Sequence, residues 1–210
     1  MNNYGIDIWS DDNFMIEDGL AKINYDCKPS LISIVKDIRK QDFKGPLLLR
    51  FPHITEKQVN TLYNTFNSSI KEYDYKGTFN AVFPLKVNQL PNFIHPLINE
   101  GKKFNYGLEA GSKAELVIAM TYNNIGSPIT VNGFKDKEVI HLGFIAKSMG
   151  HNITIIIEGL NELEIIIEVL NETKMECPNI GLRVRLHSGG SGLWAKSGGI
   201  NSKFGLTSTE

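Results

Sequence analysis

From residue 79 onward, short apolar runs rich in Val, Ile and Phe alternate with longer stretches of helical period. The run Phe79-Asn80-Ala81-Val82-Phe83-Pro84-Leu85 predicts a strand, and a helix follows at 88–100, closed by Gly101. A second strand is predicted over 105–110 and a helix over 112–123. Ser112 opens that helix with Glu115 three residues on, the spacing of a capping box that satisfies two orphan amides. A strand over 128–131 and a helix over 135–149, closed by Gly150, come next. Residues 152–158, with Ile153, Ile155, Ile156 and Ile157, read as a buried strand. The helix predicted at 161–174 carries Leu163, Ile166, Ile167 and Leu170 on one face, and 180–186 reads as one more strand.

The strands begin at 79, 105, 128, 152 and 180, so one unit recurs at nearly even spacing. Strands alternating with single helices imply parallel βα units, because parallel neighbours need a crossover. Crossovers of one hand build either a doubly wound open sheet or a barrel. A closed (β/α)8 barrel needs eight units and about 250 residues, so a barrel reading makes this chain only its first part. Periodicity alone favours the other reading, a complete open α/β sheet of five or six strands.

Residues 1–75 differ. The stretches 4–9 and 20–25 resemble strands, 31–40 a helix, 47–51 a strand, and 55–71 a helix opened by Thr55. This reads as an extra layer or a small domain before the first repeat unit, with the division at 75/76.

Composition narrows the function classes. At 41% hydrophobic and 21% charged, the chain is ordinary for a globular protein. Its formal net charge of −1 offers no basic field for a phosphate backbone, which argues against nucleic-acid binding. Cys27 and Cys177 make neither a disulfide framework nor a metal site. The first twenty residues carry Asp7, Asp11, Asp12, Glu17 and Asp18 and no Lys or Arg, unlike a secretory signal. The aliphatic run at 153–157 falls far short of the ~20 residues that span a bilayer. A soluble, cytoplasmic protein without a membrane partner is expected.

One charge stands at the tip of the first strand, in Ala81-Val82-Phe83-Pro84-Leu85-Lys86-Val87-Asn88. In parallel α/β folds the C-terminal strand ends open onto the active face. A lysine there is expected to be partly desolvated, which lowers its pKa and frees the neutral amine as a nucleophile. The plain alternative is a solvated lysine opening a βα loop.

Phe83-Pro84-Leu85-Lys86-Val87-Asn88-Gln89 resembles the cofactor-lysine motif of the alanine-racemase-like, barrel-type pyridoxal-phosphate enzymes. Its form is nearest to that of the biosynthetic arginine decarboxylases. Gly107-Leu108-Glu109-Ala110-Gly111-Ser112-Lys113-Ala114-Glu115-Leu116 resembles the second-strand segment of the same family. A third match is Leu182-Arg183-Val184-Arg185-Leu186, followed by Ser188-Gly189-Gly190-Ser191-Gly192-Leu193-Trp194 and Ser202-Lys203-Phe204-Gly205-Leu206. Tyr4, Gly5, Ile6, Trp9, Phe14 and Asn24 stand in positions compatible with the family's start.

The resemblance implies the first five units of a (β/α)8 barrel over 76–210, behind an N-terminal extra β/α layer. It implies pyridoxal 5'-phosphate as cofactor, with Lys86 as the catalytic lysine that forms an imine with its aldehyde. The expected reaction is L-arginine to agmatine and CO2, the entry to polyamine synthesis, with the hard step carried by the cofactor ring. Arg185 and Glu109 are implied near the cofactor, Arg185 against the ring's phenolate oxygen and Glu109 hydrogen-bonded to Lys86 or Arg185. Glu115 and Lys203 also match family positions. The stretch 188–192 reads as a mobile loop rather than a phosphate cradle, with Trp194 as a packing anchor and His187 in a structural role. Family members can need Mg2+, but no residue here is assignable to it.

The family's phosphate loop, its carboxylate on the pyridine nitrogen, a catalytic cysteine and the group that pairs with the substrate guanidinium are expected beyond residue 210. Active sites shared between subunits imply a homo-oligomer, and the 210-residue chain alone is expected to be a poor enzyme. Two other readings stay open: a racemase or decarboxylase for another basic amino acid on the same fold, and a non-catalytic cofactor-binding module.

Overall fold

A computed structural model describes residues 5–186, 188, 199, 202 and 205–210. Contacts divide the chain into two compact units, Met1–Ile54 and Thr55–Glu210. The second unit therefore starts inside the long helix that the sequence reading placed ahead of its 75/76 division.

The first unit opens with a short helix, α1 (Ile6–Trp9). The alternation of Ile6 and Ile8 suggested a strand there. Gly5 instead adopts φ 67° and starts a helical turn, in which Ser10 N–H donates to Ile6 O at 2.9 Å. Ile6 is buried while Ile8 lies open, so the two side chains do not share a face. An antiparallel hairpin follows, β1 (Phe14–Glu17) with β2 (Leu20–Ile23). The first of these strands was not anticipated. Helix α2 (Leu31–Arg39) is capped by Ser30, whose side chain accepts the Ser33 N–H. The stretch 47–51 runs without regular structure rather than as the expected strand. An extended segment becomes a strand only by sharing a hydrogen-bond ladder, and among the described residues it has no partner.

The second unit carries most of α3 (Pro52–Glu72) and then the repeating pattern: β3 (Val82–Pro84), α4 (Pro91–Gly101), a 3-10 turn at Lys102–Phe104, β4 (Gly107–Ala110), α5 (Lys113–Tyr122), β5 (Pro128–Val131), α6 (Lys137–Ser148), β6 (Asn152–Ile157), α7 (Leu160–Thr173) and β7 (Asn179–Leu182). The five strands form one parallel sheet in sequence order, β3-β4-β5-β6-β7. Nearest-neighbour parallel pairing in chain order is how a barrel begins; a doubly wound sheet reverses its strand order at a switch point. The fold is accordingly the N-terminal part of a parallel (β/α)8 barrel, with a separate antiparallel hairpin ahead of it. The last strand is shorter than the predicted 180–186, although Val184 still bridges in parallel to Leu206.

Alternation decides what each sheet face does. One face presents Leu108, Ala110, Ile129, Val131, Ile153, Ile155 and Ile157, all buried. The helices contribute Ile94, Leu97, Leu116, Ala119, Ile140, Phe144, Ile166 and Val169 to the same cores. Each Val, Leu, Ile or Phe side chain among them contributes roughly 1.5–3 kcal/mol on burial. The register places Pro84, Glu109, Thr130, Thr154 and Asn179 in one row on the other face. This second face is the polar one, and its C-terminal edge carries the candidate site. Among the described residues, no helix is long and apolar enough to cross a membrane.

Candidate active site

The β3–β4 ladder runs one step past β3, where Leu85 N–H donates to Glu109 O at 3.0 Å. The chain then turns, with Val87 N–H donating back to Pro84 O at 3.0 Å. Lys86 sits in this turn, at the C-terminal edge of the polar face beside Glu109. Its side chain is exposed and forms no ion pair with a described residue. The sequence reading expected partial desolvation here; no described residue bonds to the lysine in its turn, and the side chain reaches solvent.

Glu109 is buried at the tip of β4. Its Oε1 accepts Asn132 Nδ2 at 3.2 Å. Asn132 is brought there by its own N–H, which donates to Ala110 O at 2.9 Å. The partner of Glu109 is therefore this amide, not Lys86 or Arg185 as expected. Lys86 points to solvent, and Arg185 is engaged elsewhere.

Arg185 lies three residues past β7. Its N–H donates to Leu206 O at 2.7 Å and its Nη2 to Gly205 O at 3.0 Å, while its Nε is buried without a partner among the described residues. The returning segment at 205–206 thus holds this guanidinium.

Two strand-end residues that the sequence reading did not single out complete the rim. Glu158 follows β6, and its Oε1 accepts both Gly133 N–H and Arg183 Nη1 at 3.1 Å. Arg183 follows β7, where its N–H donates to Ile157 O at 3.0 Å. The signal that pointed to Lys86, a charge one residue beyond an apolar strand, missed both because the predicted strands 152–158 and 180–186 contained them; the observed strands end at Ile157 and Leu182. Across the rim the groups run Lys86, Glu109, Asn132, Glu158, Arg183, with a cation at each end and carboxylates between.

Glu115 does not close the expected capping box. Ser112 Oγ accepts Glu115 N–H at 3.3 Å, but Glu115 Oε2 accepts the N–H of Gly111, one residue before the cap, at 2.7 Å. The carboxylate therefore fastens the β4 exit as well as the helix start. Of the 188–194 stretch only Ser188 is described; His187, Trp194 and Lys203 lie outside the described residues. Among the described residues, no three His, Cys, Asp or Glu side chains gather as a metal would need.

What this edge offers is an amine that forms no ion pair with a described residue, a buried carboxylate, and two buried polar atoms without a partner among the described residues, Thr130 Oγ1 and Arg185 Nε. Such a set fits pyridoxal phosphate at its aldehyde end, where an amine attaches and the polar ring substituents need partners. The residues that would hold it are Lys86, Glu109 and Arg185.

The family described as "Pyridoxal-dependent decarboxylase, pyridoxal binding domain" matches residues 56–210. A biosynthetic arginine decarboxylase of Bacteroides thetaiotaomicron is 41% identical over 181 residues, covering 86% of this chain and 29% of that protein. One from Prochlorococcus marinus is 38% identical over 216 residues, covering 100% of this chain and 33% of its own length. The chain thus spans about a third of the length of the curated relatives it matches. The crystal structure of the biosynthetic arginine decarboxylase from Campylobacter jejuni superposes with a TM-score of 0.90 at 60% identity, over 100% of this chain and 34% of that one. A diaminopimelate decarboxylase from M. jannaschi, at 24% identity and a TM-score of 0.69 over 94% of this chain and 42% of its own, shares the fold. With Lys86, Glu109 and Arg185 all inside the matched span, the polar strand-end rim lies in the pyridoxal-binding domain of the pyridoxal-dependent decarboxylases, the family to which this chain belongs.

Proposed function

We propose that this chain is part of a homo-oligomeric, cytoplasmic enzyme that converts L-arginine to agmatine and CO2 for polyamine biosynthesis. In this reading residues 76–210 are the first five βα units of its barrel, and 1–75 an extra layer before them. The observation that carries it is the place of Lys86, an exposed amine that forms no ion pair with a described residue, just past the C-terminal tip of the first barrel strand. Similarity along the whole chain to biosynthetic arginine decarboxylases supports arginine as the substrate.

Pyridoxal phosphate, when bound, supplies an electron-withdrawing ring that accepts the electron pair left behind as the carboxylate departs as CO2. The chain's own residues bind and orient. Lys86 holds the cofactor through its ε-amine. Arg185 offers a permanent cation to the ring's phenolate oxygen, its buried Nε having no partner among the described residues. Glu109, steadied by Asn132, places a fixed negative charge at the neighbouring strand tip.

The test uses the native protein that carries this chain, with and without Mg2+. Agmatine release from arginine is measured beside amine release from ornithine, lysine and diaminopimelate, with Lys86→Ala in parallel. Turnover of arginine, abolished in Lys86→Ala together with the cofactor's visible absorption, is the expected result. Activity that survives in Lys86→Ala removes the lysine from its role. Preference for another substrate favours the related decarboxylases, and cofactor binding without turnover favours a non-catalytic module.

A further inference from the structure

We infer that Lys135 and Glu162 are a buried positioning pair that holds the Glu158–Arg183 ion pair in place at the strand-end rim, and through it the cofactor. This rests on the reading above that the rim binds pyridoxal phosphate.

The side chain of Lys135 is 0% exposed and that of Glu162 6%, with Nζ and Oε1 3.1 Å apart. Lys135 comes from the loop after β5, and Glu162 from the first turn of α7. Each makes a second bond that reaches the rim. Lys135 Nζ donates to the carbonyl of Gly133. Glu162 Oε2 accepts the N–H of Glu158 at 2.8 Å. Glu158 in turn receives both Gly133 N–H and Arg183 Nη1 at 3.1 Å. The two polar atoms of Gly133 are therefore gripped from opposite ends of one closed network. Gly133 suits this clamp because its φ is +74°, and because a Cβ there would stand 2.6 Å from Gly111 O. The β5 exit is thereby seated against the β4 exit.

Burying two charges carries a desolvation cost that their attraction often only offsets, and apolar replacements of similar size are commonly as stable or more so. Stability alone is thus a weak reason for an ion pair here. What an apolar pair does not reproduce is direction. Lys135 and Glu162 fix the peptide of Gly133 and the backbone of Glu158, and these set where the Glu158 carboxylate meets Arg183. Without the pair, the guanidinium loses its anchored partner while the sheet beneath it stays intact.

The experiment measures the dissociation constant of pyridoxal phosphate, by its visible absorption on titration into the apo form of the native protein. The proteins are wild type, Lys135→Met, Arg183→Ala and the combination of these two. Lys135→Met/Glu162→Gln provides a variant with no uncompensated buried charge, and melting temperature is recorded for all. Lys135→Met is expected to weaken cofactor binding by about tenfold, but by less than about twofold once Arg183 is already Ala, because residues acting as one unit are not additive. Lys135→Met/Glu162→Gln is expected to melt near wild type while cofactor binding stays about tenfold weak. Equal losses in both backgrounds, unchanged affinity in Lys135→Met or Arg183→Ala, or full recovery of affinity with recovered melting in Lys135→Met/Glu162→Gln overturns the inference. If Lys135→Met does not fold, Lys135→Met/Glu162→Gln replaces it in the comparison with Arg183→Ala. A wild-type protein that fails to take up the cofactor at all refutes the proposed function instead.

Discussion

The phenol oxygen of Tyr63 accepts the N–H of Ala81 at 3.1 Å, joining α3 to the residue that precedes β3. The ring stacks on Phe104 at 4.4 Å and meets Phe79 and Tyr106 edge-on. Burial pushes the Tyr63 hydroxyl above the usual phenol range, against the opposing pull of the Ala81 amide. Tyr63→Phe keeps the ring packing and leaves that amide unpaired. A loss of about 1–3 kcal/mol is expected, read from equilibrium urea unfolding. An unchanged midpoint means that water replaces the phenol at no cost.

Gly107 tests the closeness of the sheet. A Cβ at this position would lie 1.9 Å from Pro128 O on the neighbouring strand. Gly107→Ala must push β4 and β5 apart at their N-terminal ends, two residues before Glu109 and Thr130. Destabilisation of about 3 kcal/mol or more is expected, seen as a lower denaturation midpoint. A neutral outcome means that the two strands separate freely at their N-terminal ends.

The helix that follows β4 depends on Ser112. Removing its oxygen in Ser112→Ala orphans the Glu115 N–H and is expected to cost about 1 kcal/mol. Glu115→Gln keeps an acceptor for Gly111 N–H but lowers its strength, and should cost less. Thermal melting of the two variants side by side gives the order; the reverse order assigns the fastening to Glu115 rather than to the cap.

His151 gives a pH dependence. It is buried just before β6 with Nδ1 unpartnered among the described residues, and burial holds its pKa below the ordinary value of 6.5. The unfolded chain therefore takes up this proton first as pH falls. Stability is full above 6.5 and declines below it until the folded form also protonates. Unfolding free energy measured between pH 7.5 and about 5.5 should show that slope in the wild type and a shallower one in His151→Gln. Parallel curves would mean that other groups carry the dependence.

How much of this was legible beforehand differs between elements. The βα alternation from residue 79 was readable because the period of two on strands and the period near 3.6 on helices are written into neighbouring residues. Ser112 with Glu115 marked a helix start for the same local reason, although the final acceptor arrangement moved to Gly111. The first unit was harder to read. There α1 replaced an expected strand through one left-handed glycine, and 47–51 failed to become a strand for want of a neighbour.

Taken by itself, the sequence determined the order and type of the βα units and the lysine at the tip of the first. These depend on chain-local periodicity and on which residues follow one another. Only the tertiary structure decided that Glu109 bonds to Asn132, that Glu158 rather than Glu109 meets an arginine, and that Lys135 is wholly enclosed with Glu162. Those pairs are joined across strand register and loop approach, and a side chain's partner is set by the distance between elements that share no sequence neighbourhood.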